Sequence, residues 1–250
     1  MSGPDRPTIL ISRAEDVVGE RWDDYAEAIV LAGGDPVAVD LDDFTEVGDL
    51  PAHDGIMITA GVDIDPARYG QERSERVREV NARRDEFEEA LIAHALGNNV
   101  PLLCICRGAQ LLNTSQGGSL LQHIEEREPH RARRGEDGES IESGWHEVAV
   151  APGTLLERVT GASALWVNSR HHQAVLREQV APGLLASGIA PDGIVEAVES
   201  PDAAWALGVQ WHPERDEMLD HAECHAGSAR LFEAFVEACI AAAARRGERA

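Results

Sequence analysis

The stretch from Val100 to Gly118, VPLLCICRGAQLLNTSQGG, constrains the fold more than any other part of the chain. Its apolar run from Val100 to Ile105 has strand length, and Ala109, Leu111 and Leu112 follow at helical spacing, so a strand passes into a helix through a sharp turn at Cys106. A thiol at such a turn projects from the sheet edge. The helix N-terminus behind it, with unpaired N–H groups and the positive end of the dipole, favours thiolate over thiol. Gly108 lets the helix backbone pass close to the strand, as the second glycine of a GxSxG-type elbow does. A buried structural cysteine is the competing reading of the same residues.

Units of the same kind surround this stretch. Thr8 to Ser12 reads as a buried strand; Trp22, Tyr25, Ala26, Ile29 and Val30 follow at helical spacing, with Gly33 and Gly34 as the stop. Pro36 to Leu41 and Gly55 to Thr59 read as the second and third strands, and Phe87, Ala90, Leu91 and Leu96 mark a helix ended by Gly97. The alternation predicts an α/β fold with a parallel sheet covered on both faces and Cys106 at the carboxyl end of a middle strand, where open sheets place their ligands. Downstream, Trp145 to Val150 alternates like a strand, Leu155, Leu156 and Val159 suggest a short helix, and Leu165 to Val167 leads into VNSRHHQAV. Ile194 to Glu199 and Ala204 to Gln210 form a hairpin, and a closing helix spans Ser228 to Ala244. EEREPHRARRGEDGES, beyond Ile124, reads as a solvated loop. With no repeat and no linker, the 250 residues are expected to form one domain, 1–250.

Composition narrows the function. A net charge of −23 argues against nucleic acid as a partner, because phosphate binding needs a basic surface. All 22 basic residues are arginine, which excludes lysine Schiff-base chemistry and lysine-dependent phosphate loops. No apolar run reaches membrane-spanning length and MSGPDRPTILIS lacks the features of a signal peptide, so a cytoplasmic protein without a membrane partner is expected. Cys104, Cys106, Cys224 and Cys239 suit reduced thiols rather than a disulfide framework.

A cysteine nucleophile needs a base near its sulfur, and the base needs a group that holds its tautomer. Cys106, His212 and Glu214 supply the three roles: His212 and Glu214 of GVQWHPE are two apart and point to one side of an extended backbone, and Pro213 marks the end of strand pairing. His53, His94, His123 and His130 lie in segments without a matching acid. His221, Cys224 and His225 have metal-ligand spacing on a helix but lack a fourth ligand, so no metal is expected.

The motifs PLLCICRGAQLLN, TAGVDIDPARYG, VNSRHHQAV and GVQWHPE, taken together, resemble the class I glutamine amidotransferase-like hydrolases, most closely the γ-glutamyl-γ-aminobutyrate hydrolase group, peptidase C26. The resemblance runs from Ile9 to about Val236. It implies a flavodoxin-like three-layer α/β sandwich with a mostly parallel central sheet, and hydrolysis of γ-glutamyl amides through a γ-glutamyl thioester on Cys106, with His212 shuttling the proton and Glu214 orienting it. It further implies an oxyanion hole from the backbone N–H groups of Gly61 and Arg107, the latter acting more through its backbone than its guanidinium. Gln110, Asn168, Ser169 and His171 would hold the glutamyl group, and no metal or organic cofactor is needed. The partner is then the small γ-glutamyl substrate, with a homodimer allowed. The alternatives are a glutaminase subunit that delivers ammonia to a synthetase partner, or a non-catalytic protein that binds γ-glutamyl ligands. The loops Gly61 to Tyr69 and Glu125 to Ser143 would select the leaving amine. Two positions depart from the family pattern: Cys104 and Ala60 stand where glycines are usual, bearing on the elbow and the oxyanion loop.

Overall fold

A computed structural model describes residues 6–13, 20–40, 47–125, 129–134 and 140–247. The first half runs β1 (Thr8–Ser12), α1 (Trp22–Leu31), β2 (Asp35–Val39), β3 (Gly55–Ile58), α2 (Ala82–Asn98), β4 (Leu102–Ile105) and α3 (Arg107–Ser115). After it come β5 (Arg133–Arg134), β6 (Ser140–Glu142), β7 (Gly144–Val150), α4 (Leu155–Thr160), β8 (Ala164–Ser169), β9 (Leu185–Ile189), β10 (Val195–Glu199), β11 (Ala206–Val209), α5 (Asp216–Asp220) and α6 (Ala222–Gly247).

Nine strands form one sheet in the order β2-β1-β3-β4-β11-β10-β9-β7-β8, and β5 pairs with β6 apart from it. The strands from β2 to β11 pair in parallel, whereas the β11–β10, β10–β9, β9–β7 and β7–β8 pairs are antiparallel. The parallel sheet read from the sequence is thus the half that carries Cys106, with an antiparallel half beside it. That half includes β9, whose sequence LASGI has too few large apolar residues to announce a strand.

Side-chain alternation along the strands divides the core between two faces. Ile9, Ile11, Met57, Leu103, Ile105, Leu207 and Val209 belong to the core built with α1 and α6, through Tyr25, Ile29, Phe232 and Phe235. Leu10, Ile56, Ile58, Leu102, Cys104 and Ala206 belong to the other, under Leu91, Ile92 and Ala95 of α2 and Leu111 and Leu112 of α3. Phe235 is fully buried, and truncating such a residue to alanine typically costs about 3–5 kcal/mol.

Several boundaries differ from the sequence reading, the closing helix most of all, since it runs Ala222–Gly247 rather than Ser228 to Ala244. Gly97 lies inside α2, and the helix stops at Asn99, which takes the left-handed conformation (φ 54°) that asparagine tolerates. The second strand ends at Val39, and Leu41 lies outside the described residues. Of the charged segment read as a solvated loop, residues 126–128 and 135–139 lie outside the described residues, but His130 is buried, so that reading holds only in part.

Candidate active site

Strands β4 and β11 lie side by side in parallel with Ile105 opposite Val209, so they leave the sheet together at their carboxyl ends. Cys106 follows the first and Gln210, Trp211 and His212 follow the second. Parallel register therefore brings residues a hundred positions apart in sequence to one place.

Cys106 sits at φ 53°, ψ −105°, between the last residue of β4 and the first of α3. A non-glycine residue held there costs on the order of 1–3 kcal/mol, and the surroundings fix it. Its N–H donates to the Val209 carbonyl at 2.7 Å, and its carbonyl accepts the Gln110 N–H at 3.2 Å, the first bond of α3. The turn also reverses the side chain: Leu102 and Cys104 share the α2–α3 face, whereas Cys106 joins the opposite core. Close approach of helix to strand makes this possible. A Cβ on Gly108 would collide with the Ile58 carbonyl, and one on Gly208 would come within 3.0 Å of the Ala109 Cβ.

His212 is fully buried, and its Nδ1 lies 2.7 Å from Glu214 Oε1, which fixes the tautomer and leaves Nε2 for the sulfur. Burial alone would push the imidazole pKa down. The carboxylates of Glu20 and Glu214 and a hydrogen bond with Cys106 outweigh it and hold the pKa well above the ordinary histidine value. Glu20 escaped the sequence reading. It lies 3.9 Å from His212 Nδ1 and accepts a hydrogen bond from the Tyr25 hydroxyl at 3.0 Å, while Tyr25 accepts from the Ala60 N–H at 3.4 Å. Such a side chain, far from the motif and preceded by no periodic pattern, gives no signal in sequence.

The loop after β3 is held from behind. Arg84 donates to the Ala60 carbonyl at 2.7 Å and to Thr59 Oγ1 at 3.2 Å. Among the described non-glycine residues only Asn99 and Cys106 have positive φ, so Ala60 fits this loop without strain. Gly61 is demanded by space, since a Cβ there would collide with Arg84 and lie 2.8 Å from Arg107 Cδ. Cys104 is equally at ease: it lies buried between Ile58 of β3 and Gly208 of β11, and the missing side chain that lets the layers approach is at Gly208.

Arg107 corrects one expectation. Its backbone N–H is at the start of α3, where no intrahelical acceptor exists, but its guanidinium is not secondary. It is wholly buried and ion-paired with both Asp85 and Glu88 of α2, and Glu88 also receives Arg84 Nε at 3.0 Å. Burial would raise the Glu88 pKa, and Arg84 and Arg107 outweigh it to hold the pKa below the ordinary carboxylate value.

The four expected substrate-binding side chains are largely engaged with the protein. Asn168 clamps His212: its Oδ1 accepts the His212 N–H at 2.9 Å and its Nδ2 donates to the His212 carbonyl at 3.0 Å. Ser169 donates to the His130 carbonyl at 2.8 Å. His171 is buried, with Nδ1 2.7 Å from the Gln173 carbonyl. Gln110 reaches toward Cys106, donating at 3.0 Å to Gln210 Oε1, while Gln210 Nε2 lies 3.5 Å from Cys106 Sγ. His172 Nε2, 2.8 Å from Asp63 Oδ1, ties the VNSRHHQAV turn to the loop after β3.

The metal-spaced set His221, Cys224 and His225 is not gathered. His221 meets Trp145 edge-on, and Cys224 donates its S–H to the Trp166 carbonyl at 3.1 Å. Among the described residues, ligand-bearing groups converge instead at Glu20–His212–Glu214 and at His130–His146–His171–Glu196. The second set contradicts the reading that His130 lacks an acid: Asp192 and Glu196 lie 2.8 and 3.2 Å from its ring nitrogens. The cysteines are free thiols, and no helix among the described residues is long and apolar enough to cross a membrane.

Residues 14–214 match the family model of peptidase C26. The chain is 37% identical over 224 residues to the γ-glutamyl-γ-aminobutyrate hydrolase PuuD of Escherichia coli, covering 86% of this chain and 84% of that one. It is 36% identical over 215 residues to the protein NtpR of Enterococcus hirae, covering 85% and 87%. Among solved structures, the glutaminase domain of Trypanosoma brucei CTPS with bound acivicin superposes with a TM-score of 0.61 at 16% identity, covering 94% of this chain and 93% of that one. That likeness shows the class I glutamine amidotransferase fold.

Proposed function

The chain belongs to the peptidase C26 family, and on that premise we propose that it hydrolyses γ-glutamyl amides through Cys106, His212 and Glu214. The supporting observation is the strained turn that sets Cys106 against His212, with His212 Nδ1 held 2.7 Å from Glu214. The leading substrate is γ-glutamyl-γ-aminobutyrate or a related γ-glutamyl amine, as in the name of the E. coli relative.

In this reading the Cys106 thiolate attacks the γ-carbonyl carbon while His212 holds the proton on Nε2. The negative charge gathers on the carbonyl oxygen, facing the N–H groups of Gly61 and Arg107. Arg84 on the Ala60 carbonyl and the Arg107 ion pairs keep both peptide units fixed without touching substrate. As the C–N bond breaks, His212 gives its proton to the leaving amine, and the γ-glutamyl group remains as a thioester. Neutral His212 then takes a proton from water, which attacks the thioester and releases glutamate and the thiolate. Asn168 serves here as a positioning residue, holding the His212 backbone rather than the glutamyl group.

The fold shared with a glutaminase domain favours one second reading, ammonia delivery to a synthetase partner. Intact mass after mixing wild type and Cys106→Ala with γ-glutamyl amides and glutamine, while glutamate and amine are assayed, separates the two. A Cys106-dependent adduct with steady amine release supports the hydrolase. Turnover of glutamine alone, rising when a partner is added, supports the glutaminase. No adduct and no product with any substrate overturns both and leaves a binding protein.

A further inference from the structure

We propose that His130, His146, His171 and Glu196 form a divalent metal site, zinc being the first choice, in the antiparallel half of the sheet and separate from the nucleophile. The four residues come from the segment before β5, from β7, from the turn after β8 and from β10, and each offers one ligand atom, all within 4.8 Å of one another. Their side chains are almost entirely buried, with exposures of 1%, 3%, 4% and 0%.

The outer contacts of each ring decide what its inner nitrogen can do. His130 Nε2 lies 2.8 Å from Asp192 Oδ2, His146 Nδ1 3.2 Å from the Glu147 carbonyl, and His171 Nδ1 2.7 Å from the Gln173 carbonyl. Each partner is an acceptor, so a neutral ring donates outward and turns a lone pair inward. This is the arrangement in which carboxylates and carbonyls orient metal-bound imidazoles. The inner atoms, His130 Nδ1, His146 Nε2, His171 Nε2 and both oxygens of Glu196, have no hydrogen-bond partner among the described residues. Glu196 Oε1 stands 3.2, 3.7 and 3.4 Å from the three nitrogens. A zinc ion with bonds of 2.0–2.1 Å in a tetrahedron separates its ligands by about 3.3 Å.

Protons alone serve the site poorly. Three charged rings facing one carboxylate would bury excess positive charge, three neutral rings would leave lone pairs facing an anion, and a single charged His130 between Asp192 and Glu196 would still leave the inner nitrogens of His146 and His171 facing the carboxylate. A divalent ion satisfies all four atoms, and with Glu196 and Asp192 its charge is balanced. Three imidazoles and a carboxylate suit zinc, and also cobalt and nickel, ahead of magnesium or calcium. The ion would pin the turn after β8, where the Gln173 carbonyl receives both His171 and Gln110.

The test takes the full-length protein, strips it with a chelator and reloads it with zinc or cobalt. The expected result is one metal per chain by elemental analysis, a tetrahedral cobalt absorption band, and a higher melting temperature than the stripped form. His146→Ala and Glu196→Gln should each lower occupancy at least tenfold, with folding checked by circular dichroism, while the wild-type measurements stand on their own. Failure of wild type to hold stoichiometric metal overturns the proposal. So does metal lost in His212→Ala but kept in His146→Ala, which would place it at Glu20, His212 and Glu214. None of these readouts depends on turnover.

Discussion

Two buried charged clusters lie in the two halves of the sheet, and they solve the same problem differently. Around Arg107, two guanidiniums meet two carboxylates, with Arg84 and Arg107 on Glu88 and Arg107 also on Asp85. Around Glu196, three imidazoles meet one carboxylate, with five inward atoms on the four side chains lacking hydrogen-bond partners among the described residues. A guanidinium never gives up its proton and so must find its counter-charge within the chain. An imidazole can turn neutral and present a lone pair, so its cluster can wait for a cation from outside. The first cluster pairs its charges as folded, leaving Arg107 Nε without a hydrogen-bond partner among the described residues; the second, on the reading proposed above, is completed by an ion from outside.

The largest expected effect removes one member of the complete cluster. Glu88→Gln leaves buried guanidinium charge uncompensated and should cost about 3–5 kcal/mol in a denaturant titration; a cost under about 1 kcal/mol would mean that the ion pairs do not hold the loop beside Cys106. Next is zinc loading of the incomplete cluster. At a thousandfold excess over the dissociation constant it should add about 4 kcal/mol, and add it equally to Glu88→Gln, because the clusters share no partner. Unequal gains would couple the two.

Acid separates them further. Glu88 has a folded pKa below its ordinary 4.5, so its stabilising contribution is present above that value and is lost as pH falls through the folded one. Denaturant titrations over that window should show wild type losing up to about 1.4 kcal/mol per pH unit through this group, a component absent from Glu88→Gln. The smallest effect concerns His212, an imidazole whose neighbouring carboxylates hold its proton. Its raised pKa means that its contribution is full below the ordinary 6.5 and lost as pH rises through the folded value. NMR titration of Glu20→Gln should show that pKa lowered, and an unchanged value would remove Glu20 from the site.

The legible parts of the sequence were those with short-range pattern. The apolar run before Cys106, the helical spacing after it and the His212–Glu214 step each fit within a few residues, and the parallel half of the sheet followed from alternation. The illegible parts depend on partners brought together by tertiary structure. His130 seemed to lack an acid because Asp192 is 62 positions away, and the Asn168 clamp on His212 spans 44. Arg107 looked like a backbone donor because Asp85 and Glu88 lie one helix earlier, on a face whose 84, 85, 88, 91, 92, 95 spacing is helical but whose first members are charged. A buried polar face carries the same period as an apolar one, yet hydrophobicity alone does not reveal it.

The environments of the other thiols make Cys106 countable. Burial and the Glu88 carboxylate push the Cys104 thiol up, burial does the same for Cys239, and Cys224 is engaged with the Trp166 carbonyl. If Cys106 is the nucleophile proposed above, an alkylating reagent at neutral pH finds one reactive sulfur in the folded chain. The mass gained by a preparation reports the fraction of molecules whose elbow is correctly formed, so the protein carries its own active-site titration.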